Sequence, residues 1–177
     1  SLKKNIPIGG GLGGGSSNCA TTLKFLCDYH SIDRDLLDFD EICFDLGADV
    51  PVFLYGKSAF AKGYGQIFTD DYSYNSKYLL IMPNISIATK ELFESSHLRI
   101  SSEIDKSQNN FLDALTNENQ KFSEFISFLC ENLPKNTQNK LKLSGTGSTL
   151  FIENPNDDEI QLIMGKIDKN FRVFQVK

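Results

Sequence analysis

Six of the chain's thirteen glycines occupy seven consecutive positions, within Ile6-Pro7-Ile8-Gly9-Gly10-Gly11-Leu12-Gly13-Gly14-Gly15-Ser16-Ser17-Asn18. A glycine loop that feeds a helix offers an anion free backbone N–H groups and the positive end of the helix dipole. Glycine suits the task because a Cβ would hold phosphate oxygens away and would forbid turns with positive φ. Ser16, Ser17 and Asn18 are N-cap types. Cys19, Ala20, Leu23, Leu26 and Cys27 then share one face at helical spacing. Phosphate binding is the chemistry of this segment. A second cluster is Leu46-Gly47-Ala48-Asp49-Val50-Pro51-Val52-Phe53-Leu54. It places a carboxylate, Asp49, between a helix-stopping glycine and an apolar run that reads as a strand. A proton acceptor needs such a rigid mount, although Asp49 taken alone also fits a turn or helix-end aspartate. A third cluster, Leu143-Ser144-Gly145-Thr146-Gly147-Ser148-Thr149, alternates Gly with Ser and Thr between two expected strands. Alone it reads as a hairpin turn. Beside a first phosphate loop it can close over a nucleotide or a substrate phosphate.

Three phosphate motifs compete for the first loop. The P-loop pattern needs Gly-Lys-Ser/Thr, which the loop lacks. The dinucleotide pattern is satisfied by Gly9, Gly11 and Gly14, with Asp33 and Asp35 following. So many glycines satisfy almost any glycine pattern, however, and Ser1–Ile8 carries two lysines and a proline where a buried parallel strand should stand. The protein-kinase loop needs Val where Ser16 stands. A flexible glycine linker does not explain Leu12 or the capping serines.

The elements that must hold these clusters follow from periodicity. Ser16 to about Tyr29 reads as a helix, and Asp33–Leu46 as a second helical stretch stopped by Gly47. Ser58–Ala61 and Gln66–Thr69 read as strands around the turn Gly63-Tyr64-Gly65. Tyr78–Met82 reads as a buried strand ended by Pro83, with Ile85–Ala88 as a further strand candidate. Glu94–Asn109 is polar loop, and Asn110–Leu115 begins a helix. Phe122, Phe125, Ile126, Leu129 and Leu133 form a helical core stripe ended by Pro134. Lys140–Leu143, Thr149–Glu153 and Arg172–Val176 read as strands, with a helix marked by Ile160, Ile163, Met164, Ile167 and Phe171 between the last two. The class is α+β, with a split βαβ layer arrangement in the second half.

Composition narrows the function. The chain has 177 residues, 40% of them hydrophobic and 14 of them Phe, enough for a real core. A net charge of −5 argues against nucleic acid as a partner. No apolar run is long enough for a transmembrane helix, and no signal-peptide pattern is present. Cys19, Cys27, Cys43 and Cys130 are scattered, without a C-x-x-C, so buried free thiols are favoured over disulfides or zinc. His30 and His97 carry no motif.

From Ile6 to Ser17 the first loop closely resembles the phosphate loop of the GHMP kinases. Taken together, the three clusters resemble the branch of that family that acts on a cytidine diphosphate methylerythritol. The resemblance also covers Ser58–Ile67, with its Gly-x-Gly-Gln-Ile segment, and Pro83–Phe93. Asn18 stands where many members have Asp, and Cys19 replaces a usual Ala. The resemblance implies a two-domain GHMP kinase-like architecture. Residues 1–75 would be the remainder of an N-terminal, ribosomal-protein-S5-like ATP-binding domain, and residues 76–177 a C-terminal ferredoxin-like α/β layer domain. It implies transfer of the ATP γ-phosphoryl group to the substrate's 2-hydroxyl, with ATP and Mg2+ as cofactors and unknown metal ligands. Pro7, Gly9, Gly10, Gly11, Leu12, Gly13, Gly14, Gly15, Ser16 and Ser17 would bind ATP. Asp49 would be catalytic. Thr89, Phe93, Gly145 and Gly147 would face the substrate, with Phe93 stacking on cytosine. A cytoplasmic monomer or weak homodimer is expected, with no membrane partner. In this family a β-rich segment precedes the loop and supplies a lysine and a second aromatic residue, so the chain reads as roughly the C-terminal two-thirds of such an enzyme and is expected to be inactive alone. Another small-molecule GHMP kinase, or a non-catalytic nucleotide-binding fragment, are the alternative readings.

Overall fold

The computed structural model describes residues 3, 6, 8–72, 76–98, 109–166 and 171–176. The chain forms two units, Gly13–Asn75 and, as the other, Ser1–Leu12 with Ser76–Lys177.

The Gly13–Asn75 unit opens with helix α1 (Gly14–His30). The helix begins two residues earlier than the serines suggest, with Gly13 as its N-cap at φ 60. Ser16, Ser17 and Asn18 therefore lie inside the helix rather than capping it. The expected helical stretch over Asp33–Leu46 is divided into a 3₁₀ turn (Arg34–Leu36) and helix α2 (Phe39–Leu46). The cause is local. Asp33 accepts from the Asp35 N–H, and Asp38 accepts from the Asp40 and Glu41 N–H groups. Each side chain starts a new helix instead of continuing an old one. Gly47, at φ 123, ends α2 as expected.

Val50–Leu54, expected as a strand, is instead part of helix α3 (Val50–Tyr55). A five-residue apolar run has no periodicity that separates strand from helix. Pro51 sits in the first turn, where its missing N–H costs nothing, and Gly56 closes the helix at φ 74. Lys24 Nζ on α1 donates to the Phe53 carbonyl at 2.7 Å, tying α1 to the last turn of α3. Ala20, Ile42 and Val50 form the small buried core of this unit. The hairpin follows as expected, with β1 (Ser58–Lys62) antiparallel to β2 (Ile67–Tyr72).

In the other unit, β3 (Tyr78–Pro83) leads to helix α4 (Thr89–Phe93), α5 (Phe111–Glu118), α6 (Gln120–Asn132) and the single turn α7 (Lys135–Gln138). Then come β4 (Lys142–Leu143), β5 (Leu150–Glu153), α8 (Asp157–Lys166) and β6 (Phe171–Val176). The strands form one antiparallel sheet in the order β4-β5-β3-β6. The apolar run in β3 earns the central position, because Leu79 faces Ile152, Ile81 faces Leu150, and all four are buried. Pro83 ends the strand, where a missing donor is tolerated. The Phe stripe is core, as read from its spacing. Phe122, Phe125 and Leu129 are buried, and the Phe125 ring lies 5.5 Å from that of Phe171. Ile85–Ala88 forms no strand. Its backbone groups serve the loops described below. Residues 99–108, within the expected polar loop, lie outside the described residues.

Glu159, almost fully buried, closes a reciprocal cap with Asn156 and pairs with Lys140 at 2.7 Å. Burial alone would raise its pKa, but Lys140 and the Asn156 N–H outweigh burial and lower it. A lowered carboxylate stabilises the fold above the unfolded glutamate value of about 4.3, and that share is lost as the pH falls through the folded value. Glu159→Gln should therefore lower the urea midpoint at pH 7 while narrowing the gap between midpoints at pH 7 and pH 3. An unchanged gap would remove Glu159 from the acid response.

Candidate active site

The glycine run is divided between the units, with Gly9–Leu12 in one and Gly13 opening the other. In the sheet-containing unit, Gly9–Leu12 meets the second glycine loop. Thr149 N–H donates to the Gly10 carbonyl at 3.2 Å, and Ser144 Oγ donates to the Gly11 carbonyl at 2.8 Å. Ile87 N–H donates to the Gly9 carbonyl at 3.3 Å, and buried Ser148 Oγ donates to the Ile85 carbonyl. The irregular Ile85–Ile87 stretch thus supports both loops through its backbone. Gly11 has φ +71, and a Cβ there would run into the Ser144 carbonyl and come within 2.8 Å of the Gly147 N. Only glycine lets two backbones approach this closely.

The second loop carries more than its glycines. Asn109 Nδ2 donates to the Leu143 carbonyl at 2.9 Å and the Gly145 carbonyl at 2.7 Å. Thr146 Oγ1 lies 3.3 Å from Thr89 Oγ1, at the first turn of α4. Phe93, at the end of α4, is 62% exposed, with the Phe111 ring edge-on at 5.0 Å. Thr89, Phe93, Gly145 and Gly147 thus share one unit. Thr89 touches the second loop through Thr146, and Phe93 is joined through Phe111, whose N–H donates to Asn109 Oδ1. Loops lined with hydroxyls and glycine backbone, beside an exposed ring, suit a phosphorylated ligand with a flat base.

In the Gly13–Asn75 unit, the N-terminus of α1 has no side-chain cap and no acidic residue in its first turn. Ser17 N–H already donates to the Gly13 carbonyl at 2.8 Å, so the first intrahelical bond leaves the preceding N–H groups for another acceptor. Gly13 packs against Phe53, whose ring would lie 2.8 Å from an added Cβ. Asp49 occupies the N-cap position of α3, yet its exposed side chain makes no cap hydrogen bond. Its backbone is nevertheless held. Cys43 Sγ lies 3.9 Å from the Ala48 carbonyl and 3.8 Å from that of Tyr64. Gly65, at φ +115, brings the hairpin turn so close to Ala48 that a Cβ would collide with its carbonyl. Gln66 Oε1 accepts from the Tyr64 N–H at 2.7 Å and fixes that turn. Burial, with the charges of Asp40 and Asp49, pushes the Cys43 thiol above its ordinary pKa, so it stays neutral beside the carboxylate.

Residues 1–57 match the family described as GHMP kinases N terminal domain. A 4-diphosphocytidyl-2-C-methyl-D-erythritol kinase of Francisella tularensis subsp. holarctica is 38% identical over 184 residues, covering 99% of this chain and 64% of that protein. Nearly the whole chain is thus similar to a kinase of the family that its first 57 residues match. A kinase of the same name from Wigglesworthia glossinidia brevipalpis is 36% identical, with 99% of this chain and 59% of that protein covered. A crystal structure of a 4-(cytidine 5'-diphospho)-2C-methyl-D-erythritol kinase shares the fold, with a TM-score of 0.72 at 21% identity over 98% of this chain and 68% of that chain. The chain spans 64% of the length of the first of these relatives.

Pro7 lies outside the described residues. Reading the sequence missed the roles of Asn109 and Cys43, and the bonds of Ser144 and Thr149 to the first loop, because each acts through a partner distant in sequence. The cysteines are free thiols, with Cys27 and Cys43 buried and Cys130 exposed. His97 pairs with Glu118 at 3.1 Å. Among the described residues, no group of three His, Cys, Asp or Glu could hold a metal ion, and no helix is long and apolar enough to cross a membrane.

The loop-to-loop contact predicts that Gly11→Ala destabilises the protein by about 1–3 kcal/mol, the range for a side chain held at positive φ. Chemical denaturation checks this. A wild-type midpoint would mean that the two loops do not pack backbone to backbone.

Proposed function

We propose that this chain carries the phosphate-binding and substrate-facing elements of a kinase that moves the ATP γ-phosphoryl group to the 2-hydroxyl of 4-diphosphocytidyl-2-C-methyl-D-erythritol, in non-mevalonate isoprenoid precursor biosynthesis. The observation that carries this reading is the alignment over 99% of the chain with relatives bearing that kinase name. The uncapped α1 N-terminus supports Gly13 to Ser17 as a seat for ATP phosphates, together with Pro7 and Gly9–Leu12. The uncapped Asp49 carboxylate supports its role as proton acceptor. The hydroxyl oxygen attacks the γ-phosphorus, the bond to the β–γ bridging oxygen breaks, ADP leaves, and Asp49 takes the hydroxyl proton. Thr89, Gly145 and Gly147 face the substrate, and the exposed Phe93 ring stacks on cytosine.

Mg2+ would neutralise triphosphate charge. The described residues offer it no cluster of three protein ligands, so neither ligands nor a step are assigned to it. The partners on this reading are small molecules, without nucleic acid or membrane, in a cytoplasmic monomer or weak homodimer. The net charge of −5 supports the exclusion of nucleic acid.

Asp49→Asn in the complete protein should lower kcat by roughly 10²–10⁴ with ATP affinity little changed. Single-turnover kinetics beside a thermal melt is the measurement. A near-normal kcat after correction for folded fraction would reduce Asp49 to a turn residue. Phe93→Ala should weaken the cytidine substrate by roughly 1–3 kcal/mol while sparing ATP. Equal losses for both ligands would point to another small-molecule kinase. ATP binding without turnover in the complete protein would point to a non-catalytic module.

A further inference from the structure

We infer that Asn109 is a positioning residue that couples the second glycine loop to the Phe93 ring, an inference that rests on the kinase reading above. Its half-buried amide has two N–H hydrogens and a carbonyl oxygen. Both hydrogens are used across long sequence distances, on the Leu143 carbonyl at 2.9 Å and the Gly145 carbonyl at 2.7 Å. The oxygen accepts from the Phe111 N–H at 3.0 Å, where α5 begins. The two carbonyls flank Ser144, whose hydroxyl donates to the Gly11 carbonyl. Phe111 in turn presents its ring edge to Phe93, at an interplanar angle of 79°. One side chain therefore stands a single residue from the lock on the first glycine loop and a single residue from the base-stacking ring.

Neither of two similarly short polar side chains fits this role. Aspartate would keep the acceptor for Phe111 but turn a negative oxygen toward two carbonyls. Serine would keep a short acceptor and lose the second donor. The amide thus sets the distance between phosphate-facing backbone and ring within one unit, and positioning at this level affects both ligands at once.

The test compares Asn109→Asp and Asn109→Ser in the complete protein with wild type and with the core control Phe122→Leu. Affinities for ATP and for cytidine 5'-diphosphate are measured by calorimetry. Amide exchange is followed at Gly147 and Thr149, whose N–H groups are bonded to the Ser144 and Gly10 carbonyls. Both Asn109 variants should weaken both ligands about tenfold and speed exchange at the two amides about tenfold. Phe122→Leu should lower the melting temperature without moving either affinity. Weakening of one ligand only, unchanged exchange, or failure of both Asn109 variants to fold overturns the coupling. Failure of the wild type to bind either ligand overturns the kinase reading instead, and exchange at Gly147 and Thr149 then decides the coupling of the loop by itself.

Discussion

Backbone-to-backbone contact between Gly11 and the Ser144–Gly147 turn is the constraint on which the sheet-containing unit is organised. The Gly11 carbonyl accepts the Ser144 hydroxyl, and the Gly10 carbonyl accepts the Thr149 N–H. Two carbonyls of the first loop are thereby satisfied internally. The loop becomes a fixed surface rather than a flexible tether, although its composition is that of a linker. The same contact explains why glycines recur in both segments. Backbones this close leave no room for Cβ on the facing positions. Ser148 and Thr149, both 1% exposed, carry this order directly into β5 and the core. Core packing and loop geometry are therefore one problem in this unit. Leu143 and Leu150 anchor the two ends of the loop in the buried cluster, and a Cβ on Gly147 would press on Leu143 and Leu115.

A second constraint organises the Gly13–Asn75 unit around Asp49. The stretch Gly47–Asp49 lies between two helices that point their ends at it. The hairpin turn closes on Ala48 through Gly65, and Cys43 fills the space beside the Ala48 carbonyl. The Gly-x-Gly-Gln-Ile segment, far from Asp49 in sequence, is thus its scaffold. Gly65 permits the approach, and Gln66 holds the turn that makes it. A neutral thiol suits this place because a charged group would compete with the carboxylate for the same protons and counterions.

The parts of this arrangement legible from sequence were those encoded by composition or period. The glycine loops, the Phe stripe of α6, the hairpin around Gly63–Gly65 and the central strand β3 all announce themselves within about ten residues. What was not legible depends on partners elsewhere in the chain. Val50–Leu54 reads as a strand, but so short an apolar run has no period that excludes a helix, and the winning term is a Pro tolerated in a first turn with a glycine at the end. The division of Asp33–Leu46 was hidden because aspartates near a helix start read as ordinary first-turn acids until two of them cap in succession. Ile85–Ala88 has strand composition, but its N–H and C=O groups serve the two glycine loops instead of a ladder. Asn109 reads as the last residue of a polar loop, and nothing in the sequence reveals its reach to Leu143 and Gly145.

Capping supplies the last step, because the helices treat it unequally. α2 and α6 begin with Asp38 and Asn119 bonded to their first-turn N–H groups, and α8 has the reciprocal Asn156–Glu159 pair. These helices maximise local stability. α1, α3 and α4 have no side-chain cap, and they begin at the first glycine loop, at Asp49 and at Thr89. α5 and the single turn α7 are uncapped as well: Asn110 makes no cap hydrogen bond before α5, where the preceding Asn109 accepts from the Phe111 N–H instead, and Pro134 before α7 has no side-chain acceptor to give. A cap by Ser, Thr, Asp or Asn contributes about 1 kcal/mol, and glycine at that position loses only a few tenths of it. For α1 the loss is small and leaves backbone donors unclaimed. For α3 the residue present is an excellent cap, and its carboxylate still makes no cap bond. Local rules broken at several helix starts that coincide with the chemical motifs are the pattern expected where function, rather than stability, chose the residue.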